Sequence, residues 1–205
     1  MDHEIVFRIG LVGISAVGTL VQIYFGRKAR PKQGAYTSIK REAVRREGWL
    51  TFIIHAALVF ALGGMALLYA VVPASLRRSA VALPEVWRWL GLGLGFVGLA
   101  ILVEVHRQLG RYWSAYLELQ QNHQLITSGV YRRIRHPMYS VLFLLLSAMA
   151  LISANWLFMV LCAARMALFF VRMRREEAML IEQFGDEYRR YQQRTGRLLP
   201  RLGAR

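Results

Sequence analysis

The chain has 205 residues, of which 56% are hydrophobic and 19% are charged, and its mean hydropathy is +0.33. This composition excludes disorder for most of the chain, and the long apolar blocks argue against an ordinary soluble globule. A net charge of +15 is typical of proteins that bind nucleic acid or an anionic membrane surface, and the apolar blocks favour the membrane. The only cysteine, Cys162, excludes a disulfide framework, and its apolar surroundings predict a buried thiol.

Three apolar stretches in the first half of the chain are each long enough to cross a membrane. A hydrocarbon core roughly 30 Å thick takes about 20 helical residues. The first stretch makes a poor signal peptide, because its start is acidic and no small-residue cleavage site follows. The predicted spans are 5–25, 49–72 and 87–105.

The third span contains four closely spaced glycines. Small residues on a membrane helix let a neighbouring helix approach closely, so we predict tight packing at these positions. A nucleotide-binding glycine loop is set aside because no strand precedes them. The glycines are Gly91, Gly93, Gly95 and Gly98.

Two shorter apolar runs follow the polar segment 106–136. They cover 138–152 and 156–171, and only the short segment 153–155 separates them. Each has about 15 residues, fewer than a full crossing usually needs, and the tight link predicts a helical hairpin. Beyond the hairpin the chain is charged and is expected to continue as a helix up to 184–185.

Basic residues concentrate in three segments. Eight lie in 27–46, five in 106–136 and nine in the tail from Arg172 onward, which together make 22 of the 27 Lys and Arg residues. Cytoplasmic segments of membrane proteins are enriched in Lys and Arg. Five crossings place all three segments in the cytoplasm and the N-terminus outside. We therefore expect an all-α, polytopic inner-membrane (cytoplasmic-membrane) protein with about five transmembrane helices, the last two forming the hairpin.

Residues suited to chemistry lie on both sides of the hairpin, at its predicted cytoplasmic end. Pro137 prevents a helical backbone at His136 and suits the first turn of a helix, so His136 is expected in a bend where a membrane helix begins. Glu176 and Glu177 follow Arg172 by about one helical turn. The hairpin is expected to bring the two groups together.

Simpler roles remain open for several of these residues. Arginines at a membrane edge are often headgroup anchors, which suits Arg132, Arg133 and Arg174. The two glutamates could instead pair along their helix with Arg172 or Arg175, as residues three or four positions apart often do.

Other chemistries find little support in the sequence. The histidines lack the spacing that places two imidazoles on one helix face, so we expect no metal site. No serine lies in the glycine-flanked turn of a hydrolase nucleophile. The basic tail adjoins the membrane, so anionic lipid is the expected partner and nucleic acid is not.

Several short motifs occur in a fixed order around the hairpin. Before it stand His123-Gln124-Leu125-Ile126, Ser128-Gly129-Val130-Tyr131 and Arg135-His136-Pro137-Met138-Tyr139; after it stand Glu176-Glu177, Leu180-Ile181, Phe184-Gly185, Tyr188, Tyr191 and Thr195-Gly196-Arg197-Leu198-Leu199-Pro200. The region 106–200 thereby resembles the isoprenylcysteine carboxyl methyltransferase family. The closing motif looks most like that of the prokaryotic members. The residues before 106 match only in kind.

The resemblance implies an integral membrane methyltransferase that uses S-adenosylmethionine bound in a cytoplasmic pocket. It implies one methyltransferase domain over 1–205, with three transmembrane helices in 1–105 and the catalytic region in 106–200. Arg172 would be the catalytic residue that faces the methyl acceptor. The implied cofactor-binding residues are His123, Gln124, Leu125, Ile126, Tyr131, His136, Pro137, Met138, Tyr139 and Glu176.

These residue types suit the implied chemistry. Tyrosine rings stabilise a sulfonium cation through their π faces, and a carboxylate such as Glu176 accepts hydrogen bonds from the amino group of the cofactor. An acceptor carboxylate is already a nucleophile at neutral pH, so alignment and exclusion of water are its main needs. Arg172 could hold that carboxylate through its fork of donors. A lipophilic or prenylated acceptor would enter from the bilayer, among membrane lipids.

Three other functions stay open at this point. A phospholipid N-methyltransferase shares the Arg-His-Pro and paired-glutamate pattern, but its amine acceptor must lose a proton, which favours a carboxylate base. A membrane reductase of the sterol type has a superficially similar C-terminal region and would bind NADPH. A non-enzymatic membrane protein would bind no small molecule at His136.

Overall fold

The computed structural model describes residues 3–29, 48–110 and 125–201, and the secondary structure in these ranges is helical apart from two isolated β-bridges. Two short 3₁₀ helices cover Pro73–Ser79 and Gly129–Arg132. The predicted all-α fold is confirmed. The α-helices of the described ranges are α1 (His3–Lys28), α2 (Trp49–Val71), α3 (Glu85–Leu109), α4 (Pro137–Ser153), α5 (Trp156–Phe184) and α6 (Asp186–Arg194).

Four helices in the described ranges, α1, α2, α3 and α5, are long and apolar enough to cross a membrane, whereas α4 has only 17 residues. Many large apolar side chains lie on the outside of the bundle, among them Phe60, which is 79% exposed, and Ile9, which is 68% exposed. Exposed apolar side chains of this kind are favourable in contact with bilayer hydrocarbon and unfavourable in contact with water. The chain is an integral membrane protein, and the fifth crossing, which depends on α4, stays a prediction.

Helix α4 runs beside α3 between the same two ends of the bundle. At one end the Nε of Arg88 donates a hydrogen bond of 3.0 Å to the carbonyl of Ile152. At the other end the backbone N–H of Val130, just before α4, donates to the Gln108 side chain at 2.9 Å. The end of α4 and the segment before its start are therefore both joined to α3, and the two helices run alongside each other.

Three of the four glycines in α3 permit close helix packing, as predicted. A methyl group at Gly91 would lie 2.9 Å from the carbonyl oxygen of Ala148 in α4, and one at Gly98 would lie 2.8 Å from a Leu145 methyl. At Gly95 it would overlap the Ile14 side chain of α1. The prediction is wrong for Gly93, which has no neighbour within 4 Å, because it lies on a different face of the helix.

We expect Gly91→Ala to destabilise the protein and Gly93→Ala to leave its stability unchanged or slightly raised. The added methyl at position 91 meets backbone that cannot rotate away, and overpacking of this kind costs about 1–3 kcal/mol. At position 93 the methyl meets open space, and alanine is a better helix former than glycine. Thermal denaturation of both variants in detergent measures the difference, and equal stabilities would contradict this packing.

A network of polar side chains fastens the bundle at the end where α1 begins. The Tyr69 hydroxyl donates to Glu4 at 2.7 Å, and Arg88 donates to Glu4 at 2.8 Å and to the Tyr69 oxygen at 2.6 Å. The Arg88 guanidinium also lies 3.9 Å from the centre of the Phe7 ring. The network joins α1, α2 and α3, and the Ile152 carbonyl extends it to α4.

The hairpin between α4 and α5 is confirmed, with the turn where the sequence predicts it. Ala154 adopts a left-handed conformation with φ 43°, and Asn155 caps α5 by accepting from the backbone N–H groups of Leu157 and Phe158. The Asn155 side chain also donates to the Ser79 hydroxyl at 2.8 Å. Cys162, nearly two turns into α5, is buried as predicted.

Candidate functional site

The site is built around the start of α4. Pro137 is the first residue of the helix and His136 is its N-cap, with the non-helical angles φ −123° and ψ 58°. The bend predicted from the proline is confirmed. His136 is buried, and its carbonyl accepts the first hydrogen bonds of the helix from the backbone and hydroxyl of Ser140. The imidazole is therefore held at the end of the bundle opposite the Glu4 network.

The C-terminal segment returns to this bend and pairs with it through its backbone. The N–H of Arg135 donates to the Gly196 carbonyl at 2.8 Å, and the N–H of His136 donates to the Arg197 carbonyl at 3.0 Å. The N–H of Gly196 donates back to the Arg133 carbonyl at 3.0 Å. The closing motif of the chain thus forms one wall of the site.

Gly196 is required at the centre of this wall for steric reasons. A methyl group there would overlap the carbonyl oxygen of Leu199, which belongs to the backbone. The Ser140 hydroxyl donates to the Leu198 carbonyl at 2.6 Å and holds the same turn against α4. The tail therefore packs specifically against the start of α4.

Glu177 on α5 joins two guanidinium groups and one imidazole from separate parts of the sequence. One carboxylate oxygen lies 3.2 Å from the Arg135 Nε, 3.2 Å from the His136 Nε2 and 3.2 Å from the Arg197 Nε. Its other oxygen accepts from a second Arg197 nitrogen. The carboxylate is buried. Glu177 therefore fastens the bend and the tail to α5, rather than pairing along its own helix.

Glu176 has a different environment from its neighbour. Its side chain is 36% exposed, and one carboxylate oxygen lies 4.0 Å from the Nδ1 of His136. Tyr139 packs edge-on against the His136 ring at 5.6 Å between centroids. The buried Tyr131 lies within electrostatic reach of Glu176, and its pKa is raised by burial and by that carboxylate. The structure thus brings together four of the cofactor-binding residues that the resemblance implies.

Two tyrosines of α6, Tyr188 and Tyr191, line the site. The Tyr191 hydroxyl donates to the Tyr131 carbonyl at 2.6 Å, and burial raises the pKa of Tyr191 to about 12. Tyr188 is fully buried, and burial and the nearby carboxylates of Glu177 and Glu176 raise its pKa. Its hydroxyl has no hydrogen-bond partner within the described residues. A buried, unpaired donor beside two carboxylates is a place where a polar ligand would gain a hydrogen bond.

We expect Tyr191→Phe to lower the stability of the ligand-free protein by about 1 kcal/mol, because it leaves a buried carbonyl without its donor. Tyr188→Phe removes a hydroxyl that bonds to nothing in the described part of the chain, so it should leave stability equal or slightly higher. Thermal denaturation of the two matched variants in detergent compares them. A larger loss for Tyr188→Phe would contradict the hydrogen bonding described above.

Arg172 lies about one helical turn before Glu176, facing α2. It is 7% exposed, and its Nη1 lies 3.5 Å from the Nδ1 of His55. The Phe169 ring packs against both His55, at 6.1 Å, and Tyr139, at 5.4 Å. The packed rings of His55, Phe169 and Tyr139 link Arg172 to the His136 bend.

Sequence reasoning missed His55, Arg165 and Arg197 as members of this region. The signal for the first two was present, because ionisable residues within an apolar span are rare and usually functional. Arg197 carried no such signal, since its contact with Glu177 depends on the path of the tail. Arg175, considered above as a partner for the glutamates, donates instead to the Thr51 hydroxyl at 3.1 Å.

The remaining implied site residues divide into three groups. His123 and Gln124 lie outside the described residues, as does most of the basic loop 27–46. Leu125 and Ile126 are half-buried and precede the Gly129–Arg132 helix. Pro137 and Met138 form the first turn of α4. Among the described residues no group of three or more His, Cys, Asp or Glu is placed to hold a metal ion.

Comparisons with known proteins agree with the resemblance. A family model described as phospholipid methyltransferase matches residues 86–187, about half of the chain. The protein-S-isoprenylcysteine O-methyltransferase of Schizosaccharomyces pombe is 28% identical over 119 residues, covering 57% of this chain and 50% of the yeast protein. The cobalt-zinc-cadmium resistance protein CzcN of Cupriavidus metallidurans is 29% identical over 112 residues, covering 54% of this chain and 50% of CzcN. The chain thus spans about half the length of each of these curated relatives.

A solved structure of the eukaryotic intramembrane Ras methyltransferase, an isoprenylcysteine carboxyl methyltransferase, is 24% identical and gives a TM-score of 0.49. The match covers 83% of this chain and 54% of that one. The membrane helices and the sequence matches together define an integral membrane protein of the methyltransferase type of family. Within that class, the chain belongs to the family of the isoprenylcysteine carboxyl and phospholipid methyltransferases.

Proposed function

We propose that the protein transfers a methyl group from S-adenosylmethionine to a carboxylate of a lipophilic, isoprenylcysteine-like acceptor. The observation that carries this proposal is the division of α5: a buried Arg172 faces the apolar bundle, and a half-exposed Glu176 lies one turn further on, beside His136. One helix therefore presents a cation toward the lipid side and a carboxylate toward the solvent side.

The residues at the solvent side fit the proposed cofactor. When bound, S-adenosylmethionine supplies an electrophilic methyl group on a sulfonium centre. Glu176 is accessible enough to accept hydrogen bonds from an ammonium group, and Tyr139 and Tyr131 offer aromatic faces that suit a cation. The unpaired hydroxyl of Tyr188 offers a further donor. The proposed cofactor-binding set also includes Pro137, Met138 and the half-buried Leu125 and Ile126. It is completed by His123 and Gln124, which lie outside the described residues.

The residues at the lipid side fit an acceptor carboxylate. Arg172 presents donors in a planar fork that matches a carboxylate. Its burial strengthens that interaction and excludes water, which would otherwise compete with the acceptor. We propose Arg172 as the catalytic residue that aligns the acceptor. No proton has to be removed, because the carboxylate is already ionised.

Phospholipid N-methylation is the second candidate, and the description of the matching family model favours it. An amine acceptor needs a base that removes its proton. Glu177 is occupied by two arginines and His136 and is poorly placed for this role. Glu176 would have to serve as base and cofactor ligand together. The site therefore supports a carboxylate acceptor better. Family membership likewise favours methyl transfer over the NADPH-dependent reductase and over a protein without catalytic activity.

We further propose the arrangement of the protein in the membrane. The Glu4 network lies at the outer end of the bundle and the His136 bend at the cytoplasmic end, so that the N-terminus is outside and the C-terminus is in the cytoplasm. The positive-inside tendency supports this orientation, because the basic segments follow α1, α3 and α5 at the same end. Residues 1–205 act as one methyltransferase domain. The acceptor enters from the bilayer and the cofactor from the cytosol.

A methyl-transfer assay with two acceptors tests the proposal. Detergent-purified protein is given S-adenosylmethionine with a labelled methyl group and either N-acetyl-S-farnesylcysteine or phosphatidylethanolamine. We expect label to enter the farnesylated acid as a methyl ester. Mild alkali hydrolyses such an ester, whereas N-methyl groups survive this treatment, so the two products are distinguishable. His136→Ala should abolish the transfer. Alkali-stable label in the phospholipid alone would contradict carboxylate methylation in favour of N-methylation.

A further inference from the structure

A second arginine lies in the apolar part of α5. Arg165 precedes Arg172 by seven residues, which is about two helical turns or roughly 10 Å along the axis. Its guanidinium stacks over the Phe169 ring, with the Cζ atom 5.0 Å from the ring centre. The enclosed Nη1 of Arg165 has no hydrogen-bond partner within the described part of the chain. An arginine inside a membrane helix is costly, and such residues usually serve a ligand or an ion pathway.

The surroundings of Arg165 connect it to Arg172. The Phe169 ring, on which Arg165 stacks, also packs against His55 of α2. His55 in turn lies 3.5 Å from Arg172, and it is within electrostatic reach of both arginines. Arg165, His55 and Arg172 therefore border one region between α2 and α5, which we call the arginine-pair site.

Within the described residues, no carboxylate balances the positive charge of Arg165. None of the ion pairs formed within the described residues involves Arg165, and Glu177 is engaged elsewhere. Two guanidinium groups in a low-dielectric region repel one another, and an anion placed between them would relieve both their mutual repulsion and the unmet hydrogen bonding of Arg165. The cost of keeping Arg165 there is explained if an anionic ligand uses it.

We propose that the arginine-pair site holds the carboxylate of the acceptor with two arginines, and that it releases the product because methylation removes the product's charge. This inference rests on the proposed function. In the transfer, one carboxylate oxygen forms a bond to the methyl carbon, and the carbon–sulfur bond breaks with its electron pair left on sulfur. The carboxylate charge and the sulfonium charge both disappear, and no proton moves.

The loss of charge gives the site a preference for substrate over product. A carboxylate accepts charge-assisted hydrogen bonds from both guanidinium groups, whereas a methyl ester offers only neutral, weaker acceptors. The apolar tail is the same in the two molecules and contributes equally to their binding. The arginine pair therefore discriminates the free acid from its ester, and the discrimination is expected to be at least tenfold.

Separate binding titrations of the acid and of its ester test this preference. The probes are N-acetyl-S-farnesylcysteine and its methyl ester, titrated into full-length detergent-purified protein saturated with S-adenosylhomocysteine. We expect the acid to bind wild-type protein at least tenfold more tightly than the ester. Arg165→Gln should reduce the affinity for the acid about tenfold and leave the affinity for the ester unchanged. Arg78→Gln, which changes an exposed arginine at the other end of the bundle, should keep the wild-type ratio.

The outcomes separate this inference from the proposed function. Equal binding of acid and ester to wild-type protein that binds S-adenosylhomocysteine would overturn the arginine-pair site alone, and this comparison needs no variant. An unchanged ratio in folded Arg165→Gln would overturn the role of Arg165. Retained S-adenosylhomocysteine binding shows that the variant is folded, and Arg165→Lys, which keeps the charge, should preserve part of the preference. Absence of S-adenosylhomocysteine binding in the wild type would overturn the proposed function and this inference with it.

Discussion

Glu177→Ala is expected to cause the largest loss of stability among single substitutions in the site. The buried carboxylate faces Arg135, His136 and Arg197, and its removal leaves the two guanidinium groups without their anion and the imidazole without its hydrogen-bond partner. Breaking a buried ion pair by removing one partner costs roughly 3–5 kcal/mol. Because Glu177 fastens both the His136 bend and the returning tail, we expect the tail to detach before the bundle unfolds.

Denaturant titration in detergent measures the loss of stability, and limited proteolysis with trypsin detects the release of the tail. Glu182→Ala is the matched control, because Glu182 lies on the same helix and is exposed. The control should change neither measurement. Equal protease resistance of the Glu177→Ala and Glu182→Ala proteins would show that the tail is held by other contacts, contrary to the geometry described above.

Among substitutions that leave cofactor binding intact, Arg172→Ala is expected to have the largest effect on methyl transfer. Loss of a charge-assisted, two-point contact with the acceptor carboxylate costs about 3 kcal/mol. That corresponds to a fall of roughly 100-fold in kcat/KM for the acid acceptor. Arg172→Lys should recover part of the activity, because the charge returns without the planar fork. Binding of S-adenosylhomocysteine should stay within a few-fold of the wild-type value.

Arg174→Ala provides the control for this experiment. Arg174 lies two residues further along α5 and is exposed, so its loss should leave kcat/KM near the wild-type value. If Arg172→Ala kept full activity on the acid acceptor, Arg172 would not align it. If the Arg172 variant lost S-adenosylhomocysteine binding in parallel with activity, the residue would belong to the cofactor pocket instead.

The sequence was sufficient to predict the helices because their signals are local. Apolar length located the three N-terminal spans to within a few residues, and Pro137 fixed the start of α4 because proline cannot occupy the helix interior without breaking it. The tight polar link at 153–155 located the hairpin turn, where Asn155 caps α5. Each of these features depends on neighbouring residues in the chain.

Features that depend on which face of a helix meets a neighbour were harder to predict from the sequence. Gly91 and Gly93 look alike in the sequence, yet only Gly91 touches α4. Glu176 and Glu177 are adjacent, yet one is accessible while the other is enclosed by cations. The second difference arises because the tail folds back and brings Arg197 to α5, and no local pattern specifies that return.

Calorimetric titration of S-adenosylhomocysteine into detergent-purified protein tests most directly whether the His136 bend belongs to an S-adenosylmethionine site. Wild type, His136→Ala and the exposed-site control Glu182→Ala are titrated side by side, and each is checked for folding by thermal denaturation. We expect saturable, one-to-one binding to the wild type and to the control, and none to folded His136→Ala. Folded wild-type protein that binds no S-adenosylhomocysteine, or folded His136→Ala that binds it as tightly as the wild type, would show that the His136 bend is not an S-adenosylmethionine site.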